Sequence, residues 1–301
     1  MAKREHSGAM LESRSDRVVN FFNVILMIII LAIIIYPLWF IIIASVSDSA
    51  QVTNGNVLLW PKGFHLDAYR KVFADSRIMT GYRNTLFYTL FGTFLNVLAT
   101  LMLAYPLSRR DLAGRNVIMG ILSVTMFFGG GLIPTYLVYK QLGILNTVWV
   151  MVLPGLVSVY NCILMRTFIQ GLPFELQEAA MIDGCGNVHM LFRVLMPLLK
   201  PIIAVMVIYY GVGHWNSYFD ALVYVSDNDL KPLTLILRDI LIVSNIDPTT
   251  IDDPDLIERL EYTRDLVKYA LSVVSSVPMM LLYPFVQKYF IRGVMIGSLK
   301  G

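Results

Sequence analysis

The sequence is short of charge. Only 15% of its residues are Asp, Glu, Lys or Arg, where a soluble domain carries about a quarter. That density is too low to clothe a globule of this size in water-facing groups, which argues against a soluble protein. The formal net charge is +3 and no basic block is present, so little is available to neutralise a phosphate backbone, and nucleic acid is excluded as a partner. Cysteine is scarce as well. Cys162 and Cys185 are the only two; one falls in an apolar run and the other in a loop, a placement that suits free structural thiols rather than a disulfide or a metal site. The four histidines, His6, His65, His189 and His214, are scattered, so no metal-ligand spacing arises. There is no Gly-x-x-x-x-Gly-Lys-Ser/Thr phosphate loop and no nucleophile elbow, and no catalytic residue is assigned.

What is present is apolar length. Residues of apolar type make up 56% of the chain. They gather into six uninterrupted stretches, about Phe21–Val46, Thr85–Leu107, Val117–Tyr139, Val148–Met165, Ile202–Val225 and Val267–Val286. Each is near the roughly 20 residues that a helix needs to cross a bilayer. Backbone amides have no water partner there, so the stretches are expected to be helices. The expected fold is all-α, a polytopic bundle with six transmembrane helices. Lys3, Arg4, Arg14 and Arg17 precede the first run, as in a signal peptide, but the run is too long and lacks a small-residue cleavage site, so it reads as a retained span.

Lys and Arg near the span ends set the orientation. The N-terminal segment holds four, the connection after span two holds Arg109, Arg110 and Arg115, and the C-terminus adds Lys288, Arg292 and Lys300. The connection after span three has only Lys140. Both termini are therefore expected in the cytoplasm of a cell whose cytoplasmic membrane holds the chain. The organisation reads as a cytoplasmic segment 1–17, a six-span domain 18–290 with long outward segments 47–84 and 226–266, and a cytoplasmic tail 291–301. Helix breakers punctuate the spans: Pro37, Gly129-Gly130-Gly131 with Pro134, Pro154, Pro278 and Pro284. Single prolines suggest kinks that neighbours accommodate, while three consecutive glycines weaken a helix enough to suggest a break.

Between spans four and five lies an inward loop, 171–200. Pro173 stands where a first helical turn tolerates proline, and Gly184 or Gly186 can close that helix in a left-handed cap. Asn187 is then an N-cap for a second helix running to Leu199. On it His189, Arg193 and Lys200 share a polar face, opposite Leu191, Val194, Leu195 and Leu198. The pattern is a helix, a glycine turn and a second helix.

This loop closely resembles the EAA loop of ABC importer permeases, through Glu178-Ala179-Ala180, Asp183-Gly184, Phe192, Pro197 and Pro201, with Val194 and Met196 where the family usually has Ile and Leu. The likeness extends to carbohydrate-uptake permeases of the maltose-transporter type. It is carried by Trp60-Pro61-Lys62-Gly63-Phe64 with Tyr69, Asn84-Thr85, Trp215-Asn216, Pro232-Leu233-Thr234, and the tail Arg292-Gly293-Val294, Gly297 and Lys300-Gly301. Phe127-Phe128-Gly-Gly-Gly-Leu-Ile-Pro134 and Leu142-Gly-Ile-Leu-Asn-Thr-Val-Trp149 look nearest to permeases for complex oligosaccharides. The resemblance implies a sugar-moving permease, not an enzyme, without a cofactor of its own. ATP and Mg would be bound by a partner ATPase present in two copies. A second, similar permease, an extracytoplasmic solute-binding protein, membrane lipid and the sugar complete the expected partners. Glu178, Ala179, Ala180, Asp183 and Gly184 would dock the ATPase, small residues nesting in a groove and carboxylates meeting basic groups.

A secondary transporter or channel is the alternative class, as is a permease for a non-sugar solute. Intramembrane acids and repeats are the marks of the first. Asp220 is the one acid within a span, near its outer end, and the two halves show no repeat. For the solute path the sequence points to span five. Counting 1.5 Å per residue from Ile202, Tyr209 and Tyr210 reach roughly 12 Å, near the middle of a core about 30 Å thick. His214, Trp215, Asn216 and Tyr218 follow. Aromatic faces stack on sugars and amides bond hydroxyls, so Tyr210, His214, Trp215 and Asn216 are the path candidates; packing against a partner, or an interfacial aromatic belt, is the competing role.

Overall fold

The computed structural model describes residues 14–243 and 267–281, and all regular elements among them are helical. Most of the segment 1–17, the stretch 244–266 of the outward segment, the end of the sixth expected span and the tail 291–301 lie outside the described residues. The described residues form two compact units, 14–69 with 267–273, and 70–243 with 274–281.

In the first unit α1 (Arg14–Ser45) is a single helix that carries Pro37 in its interior. Every residue from 15 to 39 is exposed. Such a surface suits lipid, where an apolar exterior costs nothing and internal hydrogen bonds satisfy the backbone. After it the chain folds back through a short α2 (Ser49–Thr53), whose N-cap Asp48 accepts from Ala50 and Gln51 amides. The backbone of Asp48 bonds the Lys62 carbonyl at 3.0 Å, and Trp39 Nε1 donates to the Leu59 carbonyl at 2.9 Å. Gly63 packs against Asp48 so closely that a Cβ would lie 2.9 Å from its side chain, and its φ is +65°. The Trp60–Phe64 landmark is thus a pinned turn that leaves Trp60 and Phe64 exposed. Next comes α3 (Asp67–Ala74).

The second unit is organised around α4 (Ser76–Ser108). It starts well before the expected Thr85, because Asp75 caps it and the polar residues of its first turns, Asn84 among them, find partners within the unit. Beyond it lie α5 (Arg115–Val124), α6 (Leu132–Gln141), α7 (Trp149–Val152), α8 (Val159–Gln170), α9 (Glu175–Ile182) and α10 (Asn187–Leu198). Then follow α11 (Lys200–Trp215), α12 (Tyr218–Tyr224), α13 (Leu233–Val243) and α14 (Val267–Leu281), whose residues 267–273 belong to the first unit. Among the described residues only α1 and α4 are single helices long and apolar enough to cross a membrane, and α10 with α11 forms a pair bent by 86°.

Three expected spans are therefore interrupted helices. The third breaks at its glycines: α5 ends at Val124, Gly131 takes φ +81°, and α6 restarts with Pro134 in its first turn. The fourth is expected to kink at Pro154 and instead breaks into α7 and α8. Gly155 adopts φ +67°, and Asn96 of α4 donates to the freed carbonyls of Gly155 and Leu156 at 3.1 and 2.9 Å. The fifth breaks at Asn216 and Ser217, between α11 and α12. Apolar length alone does not register these interruptions, since glycine and proline keep the stretch apolar while removing the helix. One core cluster joins α4, α8, α10 and α11 through Leu101, Met165, Leu195, Leu199 and Met206; a second gathers Tyr88, Val150, Val152, Tyr224 and Leu235. Cys162 is buried and Cys185 half-buried, both as free thiols.

Candidate functional site

The loop 171–200 folds as two helices around a glycine turn. Phe174 precedes α9, and the helix closes in a Schellman arrangement: Cys185 N–H bonds the Ala180 carbonyl at 2.9 Å and Gly184 N–H bonds the Met181 carbonyl at 3.0 Å. Gly184 holds φ +74° with no atom within 4 Å of where a Cβ would stand. Backbone conformation, not crowding, is what demands glycine there. Glu178, Ala179, Asp183 and Gly184 are exposed, while Ala180 leans on the core. The exposed ridge also carries Ile182 at 86% and Val188 at 72% exposure, apolar residues open to a partner.

The second helix departs from expectation at its start. Gly186, not Asn187, is the capping residue, and Asn187 is the first helical residue, its amide oxygen accepting from Arg109. Met190, Leu191, Leu195 and Leu199 are buried, Val194 is half-buried, and Leu198 is exposed; His189, Arg193 and Lys200 face outward as expected. Residues Met190–Leu195 widen into a π turn in which Met196 N–H reaches back to the Leu191 carbonyl. Pro197 explains the widening, because its ring collides with the carbonyl four residues before it and cannot donate. Pro201 sits in the first turn of α11, and the chain turns sharply between them.

Of the four path candidates, three are held inside the unit. Tyr210 is buried; its hydroxyl lies 2.7 Å from Thr100 Oγ1 and accepts the Ser158 N–H at 3.0 Å. His214 Nε2 meets Asn96 Oδ1 at 2.6 Å, and Trp215 Nε1 donates to the Ser275 carbonyl at 3.2 Å. Asn216 is exposed, its amide capping α11 on the Val212 carbonyl at 3.0 Å. On the same open flank of α11 stands Tyr209, 43% exposed, with the Tyr160 ring 6.5 Å away. Tyr160 and Asn96 are absent from the sequence reading. The signal for Asn96 is a spacing of four in an apolar helix: Asn84, Tyr88, Gly92, Asn96 and Thr100 fall on one face of α4, beside Thr85, Thr89 and Thr93, and all are buried.

The first turns of α4 gather the sequence landmarks. Asn84 Nδ2 donates to the carbonyls of Asp229 and Lys231 at 2.7 and 3.0 Å, Tyr88 donates to Leu230 at 2.8 Å, and Thr85 Oγ1 accepts the Leu233 N–H at 2.8 Å. Asn84-Thr85 and Pro232-Leu233-Thr234 are thereby one contact. Nearby Asn146 takes φ +55°, and its side-chain oxygen accepts the amides of Ser226 and Asp227 at 2.9 and 2.8 Å. No group of three or more His, Cys, Asp or Glu side chains placed to hold a metal ion occurs among the described residues.

Residues 78–296 match the family described as the binding-protein-dependent transport system inner membrane component. The chain is 37% identical over 292 residues to Protein LplC of Bacillus subtilis (strain 168), covering 97% of this chain and 98% of that protein. It is 37% identical over 269 residues to the polygalacturonan/rhamnogalacturonan transport system permease protein YtcP of the same organism, covering 89% and 93%. Among solved structures, a chain from the crystal structure of a bacterial ABC transporter involved in the import of the acidic polysaccharide alginate superposes with a TM-score of 0.84 at 33% identity, covering 92% of this chain and 98% of that one.

Proposed function

Because the chain belongs to the family of binding-protein-dependent transport system inner membrane components, we propose that it is the permease through which an ABC importer admits oligosaccharides released from a polysaccharide. It is a transport subunit of the inner membrane rather than an enzyme. The observation that carries the sugar reading is the extent of the likeness: it runs through nearly the whole chain in relatives named for polygalacturonan and alginate import. The finer reading has several parts. The chain crosses the membrane six times, with the broken helices paired into spans and both termini in the cytoplasm. A second, similar permease completes the pathway, two ATPase copies hold ATP and Mg, and a solute-binding protein meets the segments 47–84 and 226–266.

The loop 171–200 is the docking element for the ATPase. Its ridge of Glu178, Ala179, Asp183 and Gly184, with Ala180 behind, is short, stiff and exposed, which suits a groove in a partner. Along the path, Asn216 and the Tyr209–Tyr160 pair supply hydrogen bonds and ring faces to the sugar. Tyr210, His214 and Trp215 hold α11 in register from the buried side. Uptake by the reconstituted complex tests the substrate class: oligogalacturonides should be taken up and neutral maltodextrins should not, and the reverse preference refutes the acidic-polysaccharide origin. Gly184→Val forces a β-branched residue into left-handed backbone at a cost of roughly 1–2 kcal/mol. With Glu178→Lys it should spare insertion and weaken ATPase co-purification. If both variants keep full solute-stimulated hydrolysis, the docking assignment is wrong.

A further inference from the structure

Two adjacent arginines follow α4, and each touches the start of a different helix of the loop 171–200. The Arg110 guanidinium lies 4.7 Å from the centroid of the Phe174 ring, the residue that leads into α9. Arg109 donates through Nη1 to the amide oxygen of Asn187, the first residue of α10. Every nitrogen of the Arg109 fork is engaged. Its Nε and Nη2 reach the two carboxylate oxygens of Asp111 at 2.8 and 2.6 Å, and Nη1 also meets the hydroxyl of Tyr105 at 3.1 Å. Its carbonyl accepts from Arg115, the first residue of α5, at 2.6 Å, while Arg166 of α8 donates to the Leu107 carbonyl at 2.8 Å. The end of α4 is thus tied to α5, to α8 and to both helices of the loop.

Exposed ion pairs and exposed cation–π contacts are largely screened by water, so these contacts add little to stability and act on geometry instead. The two loop helices also depend on them unequally. Buried Met190, Leu191, Leu195 and Leu199 anchor α10 and the bend that follows, but α9 buries no residue. Held to the core along its length only through half-buried Ala180, α9 is open to being tilted by what touches its ends. α4 in turn presents its buried polar face to α11 through Thr100–Tyr210 and Asn96–His214.

We propose that Arg109 and Arg110 are positioning residues that register the ATPase-docking loop to the end of α4, so that a movement of the loop is passed to the helix pair α4–α11 instead of being absorbed at the Gly184 turn. The proposal rests on the reading of loop 171–200 as the docking element. Arg109 sets the azimuth of α10 through a planar fork that lysine cannot reproduce, and Arg110 sets the entry of α9 through a ring face that tolerates either cation.

The test uses the complete importer in liposomes with its solute-loaded binding protein, and reads the ratio of stimulated to unstimulated ATP hydrolysis. Arg109→Ala and Arg110→Ala should each lower that ratio about fivefold to tenfold, within the usual range of coupling between sites, with the ATPase still co-purifying in full. Arg109→Lys should behave like Arg109→Ala, and Arg110→Lys should restore the ratio. Asn187→Ala should reproduce Arg109→Ala, and the double variant should be no worse than either single one. An unchanged ratio overturns the proposal, as do additive effects of Arg109→Ala and Asn187→Ala. Loss of the ATPase from the arginine variants also overturns it, since that marks a part of the docking surface. Glu178→Lys separates the two readings: if it retains the ATPase, the docking assignment fails whatever the arginines do.

Discussion

Helices α1 and α4 have nearly the same length, 32 and 33 residues, and both are apolar enough to cross a membrane. They are built on opposite plans. α1 exposes every residue from 15 to 39, and after Ser15, Asp16, Arg17, Asn20 and Asn23 near its start these are aliphatic, methionine or aromatic side chains apart from Pro37. α4 buries Asn84, Thr85, Thr89, Thr93, Asn96, Thr100 and Ser108 and turns Phe94, Leu90 and Met102 outward. Lipid is as apolar as a leucine, so hydrophobicity gives a helix no reason to prefer a protein neighbour. What binds α4 into its unit is close approach at small residues and hydrogen bonds from polar ones. Between these two helices, an unbroken apolar surface marks the side open to lipid, and a row of buried polar residues marks the side that meets protein.

The sharpest way to break that comparison is to remove a close approach on α4. A Cβ at Gly81 would lie 2.9 Å from Leu233 Cα and 2.8 Å from Ile236 Cδ1. Backbone cannot yield as a side chain can, so Gly81→Leu should cost about 3 kcal/mol and lower the melting temperature of the complex in detergent by several degrees. A smaller effect is expected from Asn96→Leu, which removes the bonds to His214, Gly155 and Leu156. Buried donors and acceptors left unpaired in a membrane cost about 2 kcal/mol together. Thermal unfolding of the complex in detergent should show it. No change would mean that the α4 polar face is incidental.

Asp75→Ala removes the cap of α4 and should cost about 1 kcal/mol. Arg77, bonded to the carboxylate through its side chain, holds Asp75 below the usual carboxylate range. A folded pKa below the unfolded one contributes stability above the unfolded value, and that contribution is lost as pH falls through the folded value. Acid scans of wild type should therefore show this loss below about pH 4, and Asp75→Ala should lack it. The smallest effect belongs to α1: Ile33→Ala sits on a fully open flank and should change stability by about 0.5 kcal/mol or less. A large loss there would show that α1 meets protein and not lipid.

The loop 171–200 shows what local pattern can specify. Pro173, the Glu-Ala-Ala run and Gly184 are all short-range signals, and the capping bonds around Gly184 need no distant partner. The path stretch shows the limit. Tyr210, His214 and Trp215 are polar and aromatic at plausible depth, which fits either a sugar or a neighbour. Whether a hydroxyl is already taken depends on Thr100 and Ser158, more than fifty residues away in sequence. The register of Asn187 likewise turns on Arg109 from another helix.

By itself the sequence determined an all-helical membrane chain and the two-helix turn of the loop, because hydropathy, glycine and proline act within a few residues. Its likeness to carbohydrate permeases, spread across the landmarks, pointed to the family. Only the tertiary structure decided which apolar stretches are continuous. It decided too that Asn84-Thr85 meets Pro232-Leu233-Thr234, and that one flank of α11 is bonded while the other, with Tyr209 and Asn216, is open. Those outcomes depend on which helix supplies a hydrogen-bond partner to a freed carbonyl or a buried hydroxyl. Inside a membrane that partner comes from another part of the chain, and no local pattern names it.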